Sequence, residues 1–341
     1  MTTRYVYDFT EDGRQGSGLL GEKGAELAEL TRMGLPVPPG FTVTTEACRV
    51  VLATGEPPPG LDREIGEHLA ALERTTGKRL GRVDDPLLLS VRAGAERPAA
   101  GLMETVLDLG LNDYAVLGLG KTADRERFAW DSYRRLVQMF GTTVMGVDPA
   151  RFGRVLTGIE RQHQAADDSR LDACDLIRTV ETFKDVIAET TGREFPQDPA
   201  EQLRRAVRAA FARLPESPGS PGSPGNSGNS GSPGSPGVAV TVQTMVFGNL
   251  GPDSGSGLAA VRREAGAEFE GRYLPNAQGR DVVSGARRAL PLRELAELDP
   301  PSYARLTACL HRLAAHHGGP CEVQFTIEHG TLWLLGARPL P

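Results

Sequence analysis

Cysteine is scarce in this chain and carries no pattern. Its four cysteines, Cys48, Cys174, Cys309 and Cys321, show no CxxC spacing. That excludes a zinc framework or a disulfide scaffold and makes buried thiols the expected state. Long apolar runs are missing as well. The start, Met1-Thr2-Thr3-Arg4-Tyr5-Val6-Tyr7-Asp8, has no signal core, and no stretch approaches the roughly 20 apolar residues that span a bilayer. Positive charge is not in excess either. A formal net charge of -6 argues against a nonspecific nucleic-acid binder, while leaving room for a local basic cleft that holds phosphate. No nucleic-acid motif stands against that. The reading is a cytoplasmic protein with neither nucleic acid nor membrane as partner.

What is present is ordinary globular material. At 341 residues, 39% hydrophobic and 24% charged, the chain can form two or three packed subdomains. Residues 215–237 run through repeated Ser-Pro-Gly and Asn-Ser-Gly with almost nothing to bury, which predicts a flexible, solvated loop. Before it, helical periodicity is clear. Leu61, Ile65, Leu69 and Leu72 share one face, as do Tyr133, Leu136, Val137 and Phe140. Leu176, Val180, Phe183 and Ile187 repeat the pattern, followed by Leu203, Val207 and Phe211. Residues 113–196 therefore read as mostly helical.

Strand signals flank that region. Leu87 to Val91 is an apolar run that ends at Arg92, and Val238 to Phe247 is β-branched and breaks at Gly248-Asn249. Near the end, Val323, Phe325 and Ile327 alternate with Glu322, Gln324, Thr326 and Glu328. His329-Gly330 then turns the chain into Leu332-Trp333-Leu334-Leu335, which reads as a hairpin with one buried and one polar face. Glu322 and Gln324, one pleat apart, point either into a cleft or to solvent.

Three other segments suggest anion or base recognition. Lys23 lies between glycines just before a helical pattern from Ala25 to Met33. Backbone N–H groups, the helix dipole and an ammonium can converge on an anion there, although an exposed turn lysine fits as well. Arg92 follows an apolar strand, and a buried guanidinium needs either a ligand or a structural salt bridge. Gln243 to Val246, in a strand before a glycine, offers backbone hydrogen bonds to a purine edge or is simply core.

Taken together, the blocks make a specific pattern. They are Tyr5-Val6-Tyr7-Asp8-Phe9, Lys23-Gly24-Ala25, Gly34-Leu35-Pro36-Val37-Pro38-Pro39-Gly40-Phe41-Thr42, Ser90-Val91-Arg92, Leu109-Gly110-Leu111-Asn112-Asp113, Asp131-Ser132-Tyr133-Arg134-Arg135, Phe195-Pro196-Gln197-Asp198-Pro199, Gln243-Thr244-Met245-Val246-Phe247-Gly248-Asn249, Asn276-Ala277-Gln278-Gly279 and Phe325-Thr326-Ile327-Glu328. In this order they resemble the N-terminal nucleotide-binding domain of pyruvate phosphate dikinase, a relative of phosphoenolpyruvate synthase, over nearly the whole chain. The resemblance implies an α/β (α+β), ATP-grasp-like fold with a helical insert subdomain and a C-terminal β-rich lobe. Its subdomains would be 1–112 plus 197–214, the helical 113–196 and the lobe 238–341, with 215–237 as the loop.

The resemblance further implies ATP as ligand. Lys23 and Arg92 would contact its phosphates and, with Arg338, form the catalytic set. Gln243, Met245 and Val246 would frame the adenine, and Gly101 and Arg262 would complete the nucleotide-binding positions; Arg272, where the family has Glu, would neutralise phosphate without metal. Glu322 and Gln324 stand at the family's metal positions. In that family ATP passes a pyrophosphoryl group to a histidine on a swivelling domain that serves a phosphoenolpyruvate/pyruvate barrel. This sequence ends at Pro341, and none of its six histidines has the family's Thr-Ser-His-Ala type of context. The expectation is a phosphotransferase half-reaction with a separate phosphohistidine-domain protein.

Departures from the family pattern sit around the metal. Gly271-Arg272 replaces a Gly-Glu pair, Gln324 replaces an acid, and Gly336-Ala337-Arg338 replaces Gln-Thr-Arg. Pro98-Ala99-Ala100-Gly101 replaces the Ser-Met-Pro-Gly phosphate loop, and Ala93 stands where serine is usual. Mg²⁺ wants hard oxygen ligands, so losing two carboxylates and gaining a nearby arginine weakens it. A catalytically degenerate nucleotide sensor or interaction module is the alternative expectation.

Overall fold

In this computed structural model the chain is mixed α/β, about half helical, with two five-stranded sheets. It describes residues 3–11, 16–94, 105–122, 125–163, 165, 168–212, 237–262, 268–284 and 287–340. The expected 215–237 loop, apart from Gly237, and the altered loop 98–101 lie outside the described residues. The chain divides into two units: Met1–Ala25 with Gly40–Gln243, and Glu26–Pro39 with Thr244–Pro341.

The first unit carries β1 (Val6–Asp8), the part of α1 (Ser17–Arg32) up to Ala25, β2 (Gly40–Val43), α2 (Thr45–Thr54), α3 (Leu61–Thr76), β3 (Arg79–Leu80), β4 (Pro86–Leu87), β5 (Leu89–Gly94) and β6 (Thr105–Leu109). It continues through α4 (Ala115–Thr122), α5 (Glu126–Thr143), α6 (Pro149–Gln162), α7 (Ala173–Thr191) and α8 (Pro199–Ala212) into β7 (Ala239–Thr244). Its sheet runs β1-β2-β7-β5-β6. Helix boundaries follow capping chemistry. Thr44 accepts a hydrogen bond from the Ala47 N–H to open α2, and Asp172 and Asp175 form a reciprocal capping box on α7. The periodic faces are core. Tyr133, Leu136, Val137 and Phe140 are fully buried on α5, as are Leu176, Phe183 and Ile187 on α7, and the Phe195 ring meets Phe140 edge-on at 5.5 Å.

Two of the sequence blocks meet in this unit for a structural reason. Gln202 is fully buried; its Oε1 accepts from the Gly110 N–H at 3.0 Å, and its Nε2 donates to the carbonyls of Leu111 (2.9 Å) and Pro196 (2.8 Å). Asn112 Oδ1 accepts from the Tyr114 and Ala115 N–H groups to open α4, while its Nδ2 donates to the Gln197 carbonyl at 3.0 Å. The buried turn is satisfied by side-chain amides where no ladder reaches it.

The second unit holds β8 (Gly255–Arg262), β9 (Glu268–Pro275), α9 (Gly279–Ser284), β10 (Leu290–Pro291), α10 (Leu295–Leu298), α11 (Pro300–His317), β11 (Cys321–Glu328) and β12 (Thr331–Pro339). Its sheet is antiparallel throughout in the order β10-β9-β8-β11-β12. α11 packs on β8, β11 and β12, burying Leu306, Leu310 and Leu313, and the alternate strand residues Val323, Phe325 and Ile327 are buried with them. The segment 26–39 belongs to this unit: the Leu334 N–H donates to the Pro36 carbonyl at 2.7 Å, and the Thr244 N–H to Pro39 at 3.0 Å.

Several expectations need correction. The Val238–Phe247 strand stops at Thr244, and β5 runs on past Arg92 to Gly94 instead of ending there. Helix α1 starts at Ser17, ahead of the Ala25 pattern, but is interrupted at Gly21. In the hairpin, Thr326 is buried although it lies on the polar side, because Ser256 Oγ on β8 meets its hydroxyl at 3.0 Å. Cys48, Cys309 and Cys321 are buried, but Cys174 is exposed. No described helix is long and apolar enough to cross a membrane.

Candidate functional site

In the first unit, two glycines place Lys23. Gly21 adopts φ 67° and ψ 167°, which breaks α1 so that its main run restarts at Glu22 with Lys23 in the first turn. A Cβ on Gly21 would stand 3.0 Å from Ala239 Cβ, and one on Gly24 would stand 2.6 Å from Thr42 Oγ1, so this helix start lies flush on β2 and β7. The first-turn N–H groups are therefore held on a rigid sheet, with Lys23 in the same turn, an arrangement suited to an anion. Arg92 is half-buried on β5, opposite Thr105 of β6. Gln243 is buried on β7, the strand next to β5, and its carbonyl accepts from Ser90 Oγ at 3.4 Å. Gly101 lies outside the described residues.

In the second unit, Met245 and Val246 follow the end of β7. The ladder is replaced on either side by single contacts, from the Thr244 N–H to Pro39 and from the Phe247 N–H to Glu328 Oε1 at 2.9 Å. Among the described residues no backbone hydrogen bond is made by Met245 or Val246. Their amide and carbonyl groups are left without backbone partners, the chemistry a purine requires. Arg262 ends β8 opposite Glu268.

The remaining positions converge on one sheet face. Gln324 pairs with Leu258, and Leu258 with Arg272, so the glutamine and the arginine flank Leu258 in one row. One pleat along, Glu322 pairs with Ala260, and Ala260 with Glu270. Glu322 also faces Arg338 across β12: Arg338 donates from Nη2 at 2.7 Å and from Nε at 3.0 Å to the same oxygen, Glu322 Oε1. The far end of this face is closed by α9, where Leu274, Ala277 and Val282 pack together with Leu258. The end carrying Arg272, Gln324, Glu322 and Arg338 is open.

That donor set does not fit Mg²⁺. Its only carboxylate at the expected positions is committed to a guanidinium, its neighbour is a neutral amide, and a second guanidinium shares the face. The one His/carboxylate group among the described residues with metal-like spacing is Asp8, Glu11 and His68, in the first unit and unnoticed in the sequence. There Arg4 pairs with Glu11 and approaches His68 Nε2 at 3.4 Å, while His68 Nδ1 contacts Asp8 Oδ1 at 2.8 Å. The cation of that cluster is the protein's own. The residues are scattered in sequence and only the fold gathers them.

Residues 17–84 match the model of the pyruvate phosphate dikinase AMP/ATP-binding domain. The chain is 41% identical to pyruvate, phosphate dikinase of Clostridium symbiosum over 98% of this chain and 38% of that protein. It is 40% identical to the Rhizobium meliloti protein over 98% of this chain and 39% of its relative. The chloroplastic pyruvate, phosphate dikinase 1 of Arabidopsis thaliana matches at 41% over 99% of this chain and 35% of its own length. The chain thus spans under two fifths of these relatives. Along its whole length it is a homologue of the N-terminal AMP/ATP-binding domain of the pyruvate, phosphate dikinases.

Proposed function

We propose that this chain binds ATP through an ATP-grasp-type domain. In the first unit Lys23 and Arg92 would take the phosphates and Gln243 would border the base; in the second, the backbone groups of Met245 and Val246 would take the adenine, with Arg262, Arg272 and Arg338 serving phosphate. The observation that carries this reading is the helix restart at Gly21, which puts Lys23 in a first turn seated on the sheet, within the segment that matches the AMP/ATP-binding model. Calorimetric titration of ATP into the purified chain tests it. Micromolar to millimolar binding that falls in Lys23→Ala supports it, and no heat of binding with or without Mg²⁺ rejects it.

A phosphotransferase half-reaction, with a phosphohistidine domain as acceptor, rests on the same Lys23 and Arg92. Phosphoryl transfer depends on metal and positioning to offset charge on the phosphates. The Arg338–Glu322 pair and the arginine at 272 favour the other reading, a nucleotide-binding sensor or interaction module with little turnover. Product AMP formed from ATP in the presence of an isolated phosphohistidine domain would decide for transfer.

A further inference from the structure

We infer that the open face of the second unit's sheet binds the polyphosphate chain directly through Arg272 and Arg338, and that Mg²⁺ weakens this binding instead of enabling it. The inference deepens the ATP-binding reading and rests on it for the nucleotide, but not for the polyphosphate.

The argument starts from charge placement. Arg272 is exposed and makes no ion pair or side-chain hydrogen bond among the described residues. Its cross-strand neighbours are Leu258 and Pro291, neither of which can accept a side-chain hydrogen bond. Its five donors are therefore directed to solvent over an apolar neighbour, where a phosphate oxygen can replace water. Gln324, beyond Leu258 in the same row, adds a neutral amide donor without repelling an anion. One pleat along, Arg338 gives two hydrogen bonds to one oxygen of Glu322, which places its guanidinium plane and leaves its remaining N–H groups for a ligand.

The same geometry sets the sign of the metal effect. A divalent cation approaching this face meets two guanidinium groups and the Glu322 carboxylate, already neutralised by Arg338; Glu270, at the end of the Glu322 row, adds one more carboxylate, too few to offer a set of coordinating oxygens beside two arginines. Mg²⁺ that travels with the polyphosphate covers the oxygens the arginines would contact and reduces the charge that attracts them. Free polyphosphate is the better ligand.

The probe is inorganic tripolyphosphate, titrated into the full chain in EDTA and again in excess Mg²⁺, with ATP run in parallel. Binding is expected in EDTA, several-fold weaker with Mg²⁺, and about tenfold weaker in Arg272→Gln and in Arg338→Gln. A double variant, Arg272→Glu with Gln324→Glu, removes one guanidinium and adds two carboxylates; in it Mg²⁺ is expected to raise affinity. All three side chains are exposed, so melting temperature serves as the check on folding. Tripolyphosphate binding that requires Mg²⁺, that is absent in EDTA, or that is unchanged in both arginine variants overturns the inference. If ATP fails under both conditions while tripolyphosphate binds in EDTA, the nucleotide reading falls and this one stands; ATP binding that needs Mg²⁺ and survives both arginine variants does the reverse.

Discussion

Asp108 is the residue whose cost to the fold is easiest to name. It sits in a bulge, since Leu89 pairs with Leu109 and Val91 with Val106, leaving Leu107 and Asp108 opposite the single residue Ser90. It takes φ 60°, is 96% buried by its 4% exposure, and its Oδ1 has no hydrogen-bond partner. Burial pushes its carboxyl up to about 7; Arg135 pulls it down and Asp131 pushes it up further. The folded state then holds a proton that the unfolded state has released, so stability falls as pH rises from about 4 to about 7 and is flat above. Asp131 behaves oppositely: burial raises it, but Arg134 and Arg135 outweigh that and hold it low, so its contribution is lost only in acid. Asp108→Asn keeps a side chain that tolerates left-handed backbone and should stabilise by up to about 4 kcal/mol above pH 7, with the gain vanishing near pH 4. Urea unfolding at pH 4, 6 and 8 would show it; a gain independent of pH would mean the carboxyl is not the cause. At the site, Lys23→Ala should weaken ATP binding about tenfold, while Glu322→Ala leaves it unchanged or tighter, because that carboxylate serves Arg338. Calorimetry that reversed the order would mean a metal still uses Glu322.

Elements that carry periodicity were readable in the sequence. The α5 and α7 faces and the His329-Gly330 hairpin turn stand where the pattern of apolar residues puts them. What escaped is what depends on contacts between distant segments. Thr326 reads as a solvent residue until Ser256 is brought opposite it, and the extra residue Leu335 that shifts the register after Gln324 leaves no mark in the alternation. The Gly-Glu-Lys-Gly segment could be read as a turn; its two glycines are explained only by Ala239 and Thr42 beneath them. Glycines inside helices show the same dependence and give a test. In α4, a Cβ on Gly118 would overlap the carbonyl oxygen of Val83, whereas in α6 a Cβ on Gly158 would meet nothing within 4 Å. Alanine favours a helix by roughly 0.5–1 kcal/mol over glycine, so Gly158→Ala should raise the melting temperature. Gly118→Ala should lower stability by about 2–3 kcal/mol despite the same propensity gain. Equal shifts in both variants would show that propensity, not packing, governs α4.

At the scale of the molecule, the second unit's sheet carries its charged groups, the Arg338–Glu322 pair and Arg272, on one face while the core on its other side stays apolar. The same separation between scaffold and accessory sequence applies to residues 218–236, which contain only Pro, Gly, Ser and Asn and so offer no large aliphatic or aromatic side chain to any core. Deleting them joins Ser217 to Gly237, and the described ends make that joint feasible. α8 ends at Ala212 and packs on α2, and Gly237 abuts Thr45 at the start of α2. A ten-residue helix such as α2 is about 15 Å long. Residues 213–217, five in number by position, reach about 17 Å when extended. Closing a shorter loop also costs less entropy, a gain of about 1.4 kcal/mol for this change in length. The deletion variant should therefore keep its circular dichroism spectrum and melt within a few degrees of the full chain. A fall of ten degrees or more would mean that the segment docks on the fold, through hydrogen bonds of its backbone, Ser and Asn groups or through its proline rings.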